Sequence, residues 1–571
     1  MGIQELPGKD RIRTALAIRA IVALLLFASS AVAQIDEAKR ALANRDFGRA
    51  VEILVQSTAA NRSADEFLYL GIAYGNLKEY PRAEDTLREG SNRFATDPRF
   101  HNELAGVYLA TREIEKAKSE LRKALEIDPQ NNYASDLIAS IGMSEGEVQS
   151  ALKYWNQSGR PIIDDILHNY YLNFGSWVVR KAIAFKPDAV LHYADWKTTE
   201  ARLFQTNNFA NVGLEVEATA VPDHYAAIVR TTAKSNDRTS LLWNLLKGGL
   251  YDTAYLNYWN AGNAGINFTG TYRWSPDRRL AEARVYIPLP LPGILHMELS
   301  NTWRNERWDL TKSIRTPYLD RGRRLNLRAN TIQISAKHIP HYRVEIGGGF
   351  EYTNRAARGD LPELATDSRN TGKVFLETTI RMADGTYQNR LHIEGFAARK
   401  SMLGDFNYSG GTAELNNRWT ISKDTRTSFD WTVKAGTSRG MRPVEDYFVL
   451  GMAYRAANLM RGHTVADHGR NGSGPTGSDF VLGNFDIDRR IVTIPMFNSF
   501  NIPYIILKGE VFLDAAKTWD RTRIFRNSKL LVDSGASLRF ETPASSFNVV
   551  YGRSLRDGKG VVYGYFERRL W

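Results

Sequence analysis

From about residue 245 to the end, the chain shows no long helical pattern; apolar and polar residues alternate with a period of two. The alternation comes in runs of about 9 to 13 residues, such as GINFTGTYRW from Gly265, LHMELSNTWRNE from Leu295, VEIGGGFEYTNR from Val344 and NRLHIEGFAARK from Asn389. Between runs lie short polar breaks, SPDR, MADG, SKDT and RDGK, with the residue chemistry of hairpin turns. Such strands have one apolar face, which must be covered by a second sheet or by lipid. The run length fits a tilted membrane strand, and aromatic residues gather near run ends, where an aromatic girdle would place them. A soluble sandwich of this size is unusual, and no blade-length repeat points to a propeller. About fifteen runs can be counted. The expectation is a sixteen-stranded antiparallel β-barrel over residues 245–571, with one run merged or missed, because single-chain barrels of this kind use even numbers.

The other end of the chain says how such a barrel would reach a membrane. Arg11, Arg13 and Arg19 precede the apolar run AIVALLLFASSAVA, and Ala31-Val32-Ala33 forms a small-residue cleavage site before Gln34. That order is a secretory signal peptide over residues 1–33. After it no stretch of 18 or more apolar residues occurs, so a mature chain that spans a membrane must do so as a closed barrel. Among 571 residues there is no cysteine, which removes disulfides, thiolate zinc sites and cysteine nucleophiles. The net charge of +12 suits an anionic surface. No nucleic-acid motif accompanies it, so no nucleic-acid partner is expected.

Residues 34–161 repeat at a period of 34: Leu70, Tyr74, Ala83, Leu87 and Arg88 recur as Leu104, Tyr108, Ala117, Leu121 and Arg122. The pattern resembles the tetratricopeptide repeat, whose units stack into an array with a concave partner-binding face. A small αβ module is expected over residues 176–236: a strand SWVVRKAIAF, a helix WKTTEARLFQTNNF, and strands VGLEVEATAV and YAAIVRTTAK. The segment FQTNNFANVGLEVEA resembles the helix-to-hairpin passage of a polypeptide-transport-associated (POTRA) domain. Such domains offer strand edges to client chains.

The last third has an order of its own. GMRPVEDYFVLGMAYRAANLMRGH leads to GSDFVLGNFDIDRRIVTIP, then GEVFLDAAKTW, SGASLRFETPASSFNVVYGRSL and the final VVYGYFERRLW. This resembles the BamA/TamA superfamily of outer-membrane assembly and translocation barrels (the bacterial surface antigen family). The resemblance implies a long loop folding back into the lumen, its tip being Leu459, Met460, Arg461, Gly462 and His463. It also implies an anchoring strand with Phe512 and Asp514, a third motif from Gly535 to Pro543, and a C-terminal sorting signal at Tyr563, Tyr565 and Trp571. His463 stands where the family has an aromatic, and Ala516 where it has glycine. A guanidinium is always charged and forks onto a carboxylate, so the resemblance gives Arg461 the partner Asp514. Gly462 permits a tight tip.

No nucleophile elbow, zinc-protease helix or phosphate loop is present, so no enzyme activity, cofactor or metal is expected. His463, Asp467 and His468 share one Gly-rich loop, where such residues read as solvated polarity rather than as a metal site. The resemblance implies an outer-membrane protein, its N-terminal domains in the periplasm. It would help insert outer-membrane proteins or translocate a protein client. The partners implied are membrane lipid, unfolded or partly folded clients, and periplasmic or lipoprotein partners on the repeats. Strands near Tyr255–Tyr258 and Tyr563–Tyr565 would form a weak seam. The alternatives are a dedicated exopolysaccharide or surface-lipoprotein exporter of the repeat-plus-barrel type, and a passive porin.

Overall fold

The computed structural model describes residues 34–58, 61–168, 176–221, 224–246, 252–315, 324–359, 369–383, 386–422, 425–451, 460–463, 472, 474–495, 504–541 and 546–567. The signal-peptide segment, Leu459, Asp467, His468, Thr542, Pro543 and Trp571 lie outside these residues. The chain divides into two compact units. One comprises residues 1–164, 188–193 and 218–225, and the other 165–187, 194–217 and 226–571.

The first unit is built from helical hairpins. Helix α1 covers residues 34–43. It is followed by α2 (Phe47–Leu54), α3 (Ala64–Asn76), α4 (Tyr80–Arg93), α5 (Arg99–Ala110), α6 (Ile114–Ile127), α7 (Asn132–Ser144) and α8 (Val148–Gln157). The 34-residue period is visible in the backbone. Lys78, Arg112 and Gly146 all take positive φ after the first helix of a pair. The next residue's amide then bonds back to Tyr74, Tyr108 or Gly142 at 2.9, 2.8 and 2.7 Å. These bonds satisfy carbonyls that a helix end leaves open. Small residues let the helices approach: Ala83, Ala117 and Ala151 are fully buried. A Cβ on Gly71 would lie 2.5 Å from Leu87 Cδ2, and one on Gly90 would lie 2.3 Å from Phe100 Cε1. Tyr108 ties neighbouring pairs together, donating to Glu84 at 2.6 Å while Arg88 donates to its oxygen at 2.6 Å.

Next come β1 (Ile162–His168), α9 (Ser176–Ala182), β2 (Ala189–Val190), α10 (Tyr193–Gln205), β3 (Phe209–Ala218) and β4 (His224–Ala233). The four strands form one sheet in the order β2-β1-β4-β3. One expectation is corrected here. The segment expected as the strand SWVVRKAIAF is helix α9, and the first strand of the module is β1, in the preceding segment. Val178, Val179 and Ala182 are the buried residues of α9. That spacing serves a helix turn, and the paired valines masked it with their strand propensity.

The second unit is dominated by one antiparallel sheet. Helix α11 (Arg238–Leu246) packs along its first strand. The strands are β5 (Thr253–Ala261), β6 (Ile266–Arg273), β7 (Arg278–Leu289), β8 (Leu295–Asp309), β9 (Arg324–His341), β10 (Val344–Gly359), β11 (Arg369–Ala383), β12 (Tyr387–Ala398), β13 (Asn407–Ser422) and β14 (Thr427–Met441). After a long connection, in which β15 (Phe448–Val449) pairs with β16 (Thr476–Gly477), come β17 (Asp479–Pro495), β18 (Tyr504–Trp519), β19 (Leu531–Glu541), β20 (Ser546–Ser554) and β21 (Gly560–Glu567). Among the described residues, fifteen strands join edge to edge, from β5 to β21. The expected sixteenth strand is not among them; the segment before β5 is helix α11. An odd count makes the two edge strands run the same way, so they cannot pair as antiparallel neighbours, and no ladder joins them among the described residues.

Alternation gives the sheet two unlike faces. Phe485 and Ile487, Val511 and Leu513, and Ile332 and Ile334 are exposed. The opposite face carries paired charge: Lys337 meets Glu377 at 3.0 Å, Lys373 meets Glu351 at 3.0 Å, and Lys508 meets Asp488 at 3.1 Å. Polar-in, apolar-out is the reverse of a water-soluble sheet and matches a membrane barrel. Exposed Tyr272 and Trp274 sit at one end of the strands, and the cross-strand pair Tyr387 and Trp419 at the other. Among the described residues, no helix is long and apolar enough to cross a membrane.

The two ends of the sheet are distinguished by what binds them. At one end α10 grips the turns: Arg202 Nε donates to the Ile339 carbonyl at 2.9 Å, and the Tyr342 amide donates to Thr198 Oγ1 at 3.0 Å. Asn208 and Asn267 likewise join the end of α10 to the β5–β6 turn. At the far end, Ile314 of the β8–β9 connection bridges Phe525 of the β18–β19 connection. These connections belong to strands eight places apart in the sheet order, so the sheet curls round.

Candidate functional site: an anchored loop on the polar face

The connection between β14 and β17, residues 442–478, starts at the far end. The inner face of β17 to β20 offers it acids. On β18, Glu510, Phe512 and Asp514 are spaced by two and face inward together. Asp486 and Asn484 flank them on β17, and Asp533 lies opposite Asp514 on β19.

Arg461 fills this row. Its Nε donates to Asp514 Oδ2 at 3.0 Å and its Nη2 to Asp514 Oδ1 at 2.5 Å, so the contact is bidentate. Its own amide donates to Asp514 Oδ2 at 2.8 Å. Nη1 reaches Glu510 Oε1 at 3.0 Å and also Asp486. Asn484 donates to Asp514 at 2.7 Å, and Arg539 donates to the other Glu510 oxygen at 2.7 Å. The guanidinium carbon lies 3.7 Å from the Phe512 ring centroid, a cation–π contact. Arg461 and Asp514 are both buried. Three acids around one cation oppose one another, and Arg539 and Asn484 offset that repulsion.

The neighbours of Arg461 complete the anchor. Met460 is fully buried with Leu450, Phe480, Leu482, Ala516 and Leu531. The Gly462 amide donates to Asp533 Oδ2 at 2.7 Å. A Cβ on Gly462 would stand 2.8 Å from the Arg553 carbonyl carbon, and one on Gly552 would stand 2.1 Å from the Arg461 oxygen. Backbone thus lies directly on backbone, which only glycine permits. His463 Nδ1 is 2.7 Å from Asp533 Oδ1, and that carboxylate raises the imidazole above its ordinary pKa. Gly535 lies opposite Phe512, with room for no side chain: its Cβ would meet Tyr551 O at 2.0 Å.

A second anchor holds the start of the same loop. Glu445 Oε1 lies 2.9 Å from Arg355 Nε on β10, an ion contact between buried groups. Arg355 also donates to Thr371 at 2.7 Å, and Tyr408 donates to Asp446. Val444 and Tyr447 pack with Trp308, Leu325, Leu327 and Phe525. The loop is therefore fixed at two places, on β10–β13 and on β17–β20.

Sequence reasoning named Arg461, Gly462, His463, Phe512 and Asp514, and the structure brings these five together. It missed Asp486, Glu510, Asp533, Glu445, Asp446 and Arg355. The alternation of D-I-D in β17 and E-V-F-L-D in β18 carried a readable signal for two of them, since same-face acids on a strand need a counter-charge. Tyr563 pairs with Val550 and Tyr565 with Asn548, on the edge strand β21. Among the described residues, no three metal-ligating side chains gather.

No protein-family model matches the sequence, and no curated protein matches it. Among solved structures, BamA from Haemophilus ducreyi lacking POTRA domains 1–3 aligns over 72% of this chain and 85% of that chain, with 10% identity and a TM-score of 0.40. CdiB from Acinetobacter baumannii aligns over 80% and 86%, with 12% identity and a TM-score of 0.47. CdiB from Escherichia coli aligns over 72% of this chain and 76% of that chain, with 11% identity and a TM-score of 0.51, and it is to this protein's fold that the chain is similar.

Proposed function

We propose that the chain is an outer-membrane barrel with a periplasmic helical-repeat array and one POTRA-like module, and that it helps insert or translocate protein clients. The observation that carries this reading is the Arg461–Gly462 tip, buried on Asp514, Glu510 and Asp533 of a sheet in which, among the described residues, no ladder joins edge strands β5 and β21. A passive pore needs neither feature. A buried ion cluster of this kind sets geometry more than stability. It holds the loop against β17–β20, next to edge strand β21. An unpaired edge can template an incoming strand. The order β1-α9-β2-α10-β3-β4 supports the POTRA-like reading, and the 34-residue backbone repeat supports tetratricopeptide-like stacking. On this reading the module end faces the periplasm.

The test uses the full chain in lipid vesicles with a urea-unfolded outer-membrane barrel as client. The wild-type chain speeds client folding, read by heat-modifiable gel mobility. Arg461→Ala keeps its own folded mobility and loses most of the acceleration. Equal acceleration by both proteins would remove the loop from the mechanism. No acceleration by either would leave translocation as the only form of the proposal.

A further inference from the structure

The outward face of β17–β21 carries an open groove of ≈ 560 Å³, lined by Ile487, Arg489, Gly509, Ala536, Tyr551 and Val562 among others. Its shape follows from the register. Arg489 lies beside Gly509, which lies beside Leu538; Val511 lies beside Ala536, which lies beside Tyr551. Two small residues thus sit diagonally among large ones and leave a trough. A Cβ on Gly509 would meet only Ile491, at 3.3 Å, so the floor is open on its outer side.

Arg489 is unlike the other charges of these strands. Asp486, Asp488 and Glu510 point to the inner face, where each has a cation. Arg489 points outward, is exposed, and forms no ion pair among the described residues. Its height is set by its neighbours. The adjoining Arg490 amide donates to the Thr425 carbonyl in the β13–β14 turn at 3.3 Å, so Arg489 stands level with that module-side turn, while β17 and β18 stay paired beyond it to Pro495 and Tyr504. Phe540 and Phe547 pair across β19 and β20 toward the same end, with ring centroids 6.3 Å apart. Aromatic rings near strand ends are the mark of a membrane interface in barrels, and a guanidinium with no ion pair near that level is suited to a phosphate.

Resting on the membrane-barrel reading, we propose that this groove holds one glycerophospholipid of the module-side leaflet. Its phosphodiester binds Arg489, and an acyl chain lies over Gly509 and Ala536. The volume is that of an ordinary small-ligand site, and the lining is apolar except at the arginine end. A lipid seated there would lie across β18–β20, beside edge strand β21.

The full chain, folded in lipid-free detergent, would be titrated with phosphatidylglycerol and read by native mass spectrometry. Arg489→Gln and Ala536→Phe, which removes the phosphate contact and fills the trough respectively, would be run beside it. Gel mobility would first show that every variant is folded; failure of the wild-type chain to insert into vesicles would sink the barrel reading, not this one alone. The expected result is one tightly bound phosphatidylglycerol, weakened about tenfold by each variant. Diacylglycerol would not bind tightly, and inorganic phosphate would not compete. Equal binding by wild type and Arg489→Gln, equal binding of diacylglycerol, or displacement by inorganic phosphate would each overturn the proposal.

Discussion

Arg461 is surrounded by more negative charge than it carries. Removing it leaves Asp514, Glu510 and Asp486 facing one another in a largely buried row. Truncating one partner of a buried ion cluster costs about 3–5 kcal/mol. In Arg461→Ala that cost falls on the loop's attachment, because the sheet's own ladders do not pass through it. Trypsin should then cut between residues 442 and 478 in an otherwise folded barrel. Arg461→Lys should recover less than half of the protection, since an ammonium cannot make the bidentate contact to Asp514. Full protection by lysine would show that charge alone matters. His463 gives the same attachment a pH dependence. Its pKa is raised by Asp533, so its contribution is complete below the unfolded value of about 6.5 and is lost as pH rises through the higher folded value. Proteolysis of the loop should therefore quicken from near neutral pH upward, and His463→Gln should flatten that profile. A profile that is the same in both proteins would assign the pH effect elsewhere.

At the level of elements, the repeats and the strands were legible for different reasons. The 34-residue repeat appears in sequence because each hairpin needs small residues at fixed positions, and those same positions carry the tight contacts. Gly90 illustrates the balance. Alanine in a helix interior is worth about 0.5–1 kcal/mol over glycine. Here its Cβ would sit 2.3 Å from Phe100, and overpacking costs about 1–3 kcal/mol. Gly90→Ala should thus lower the melting temperature of the helical signal at 222 nm; a rise would mean that α4 and α5 separate freely. The strands were readable from alternation: RDGK lies between β20 and β21, and SPDR lies between β6 and β7 except for Arg278, which opens β7; MADG and SKDT lie partly outside the described residues. What was not readable came from context. Val178 and Val179 have strand propensity, yet α9 buries them as a helix face. Residues 238–246, apolar without strict alternation, form α11 where an even strand count was assumed. The second anchor was missed because Glu445 and Arg355 lie far apart in sequence, and only the curl of the sheet brings β10 to the loop.

The whole molecule combines parts that a simple pore does not require. The N-terminal unit repeats a helical hairpin at a 34-residue period. The other unit presents a curled sheet with an acid-lined inner face, a loop fixed at two places, and, among the described residues, no ladder between its edge strands. The far-end connections join across the sheet through Ile314 and Phe525, with Ser313 donating to the Gly472 carbonyl at 2.9 Å. That end is knitted by its own loops; on the proposed reading a client strand would add at edges β5 and β21. Client handling, the central claim, is tested most directly by quantitative outer-membrane and surface proteomics in cells with and without this chain, restored by wild type or by Arg461→Ala. The account predicts that specific outer-membrane or surface proteins fall when the chain is absent and return with wild type but not with the variant; an unchanged protein profile in its absence would contradict it.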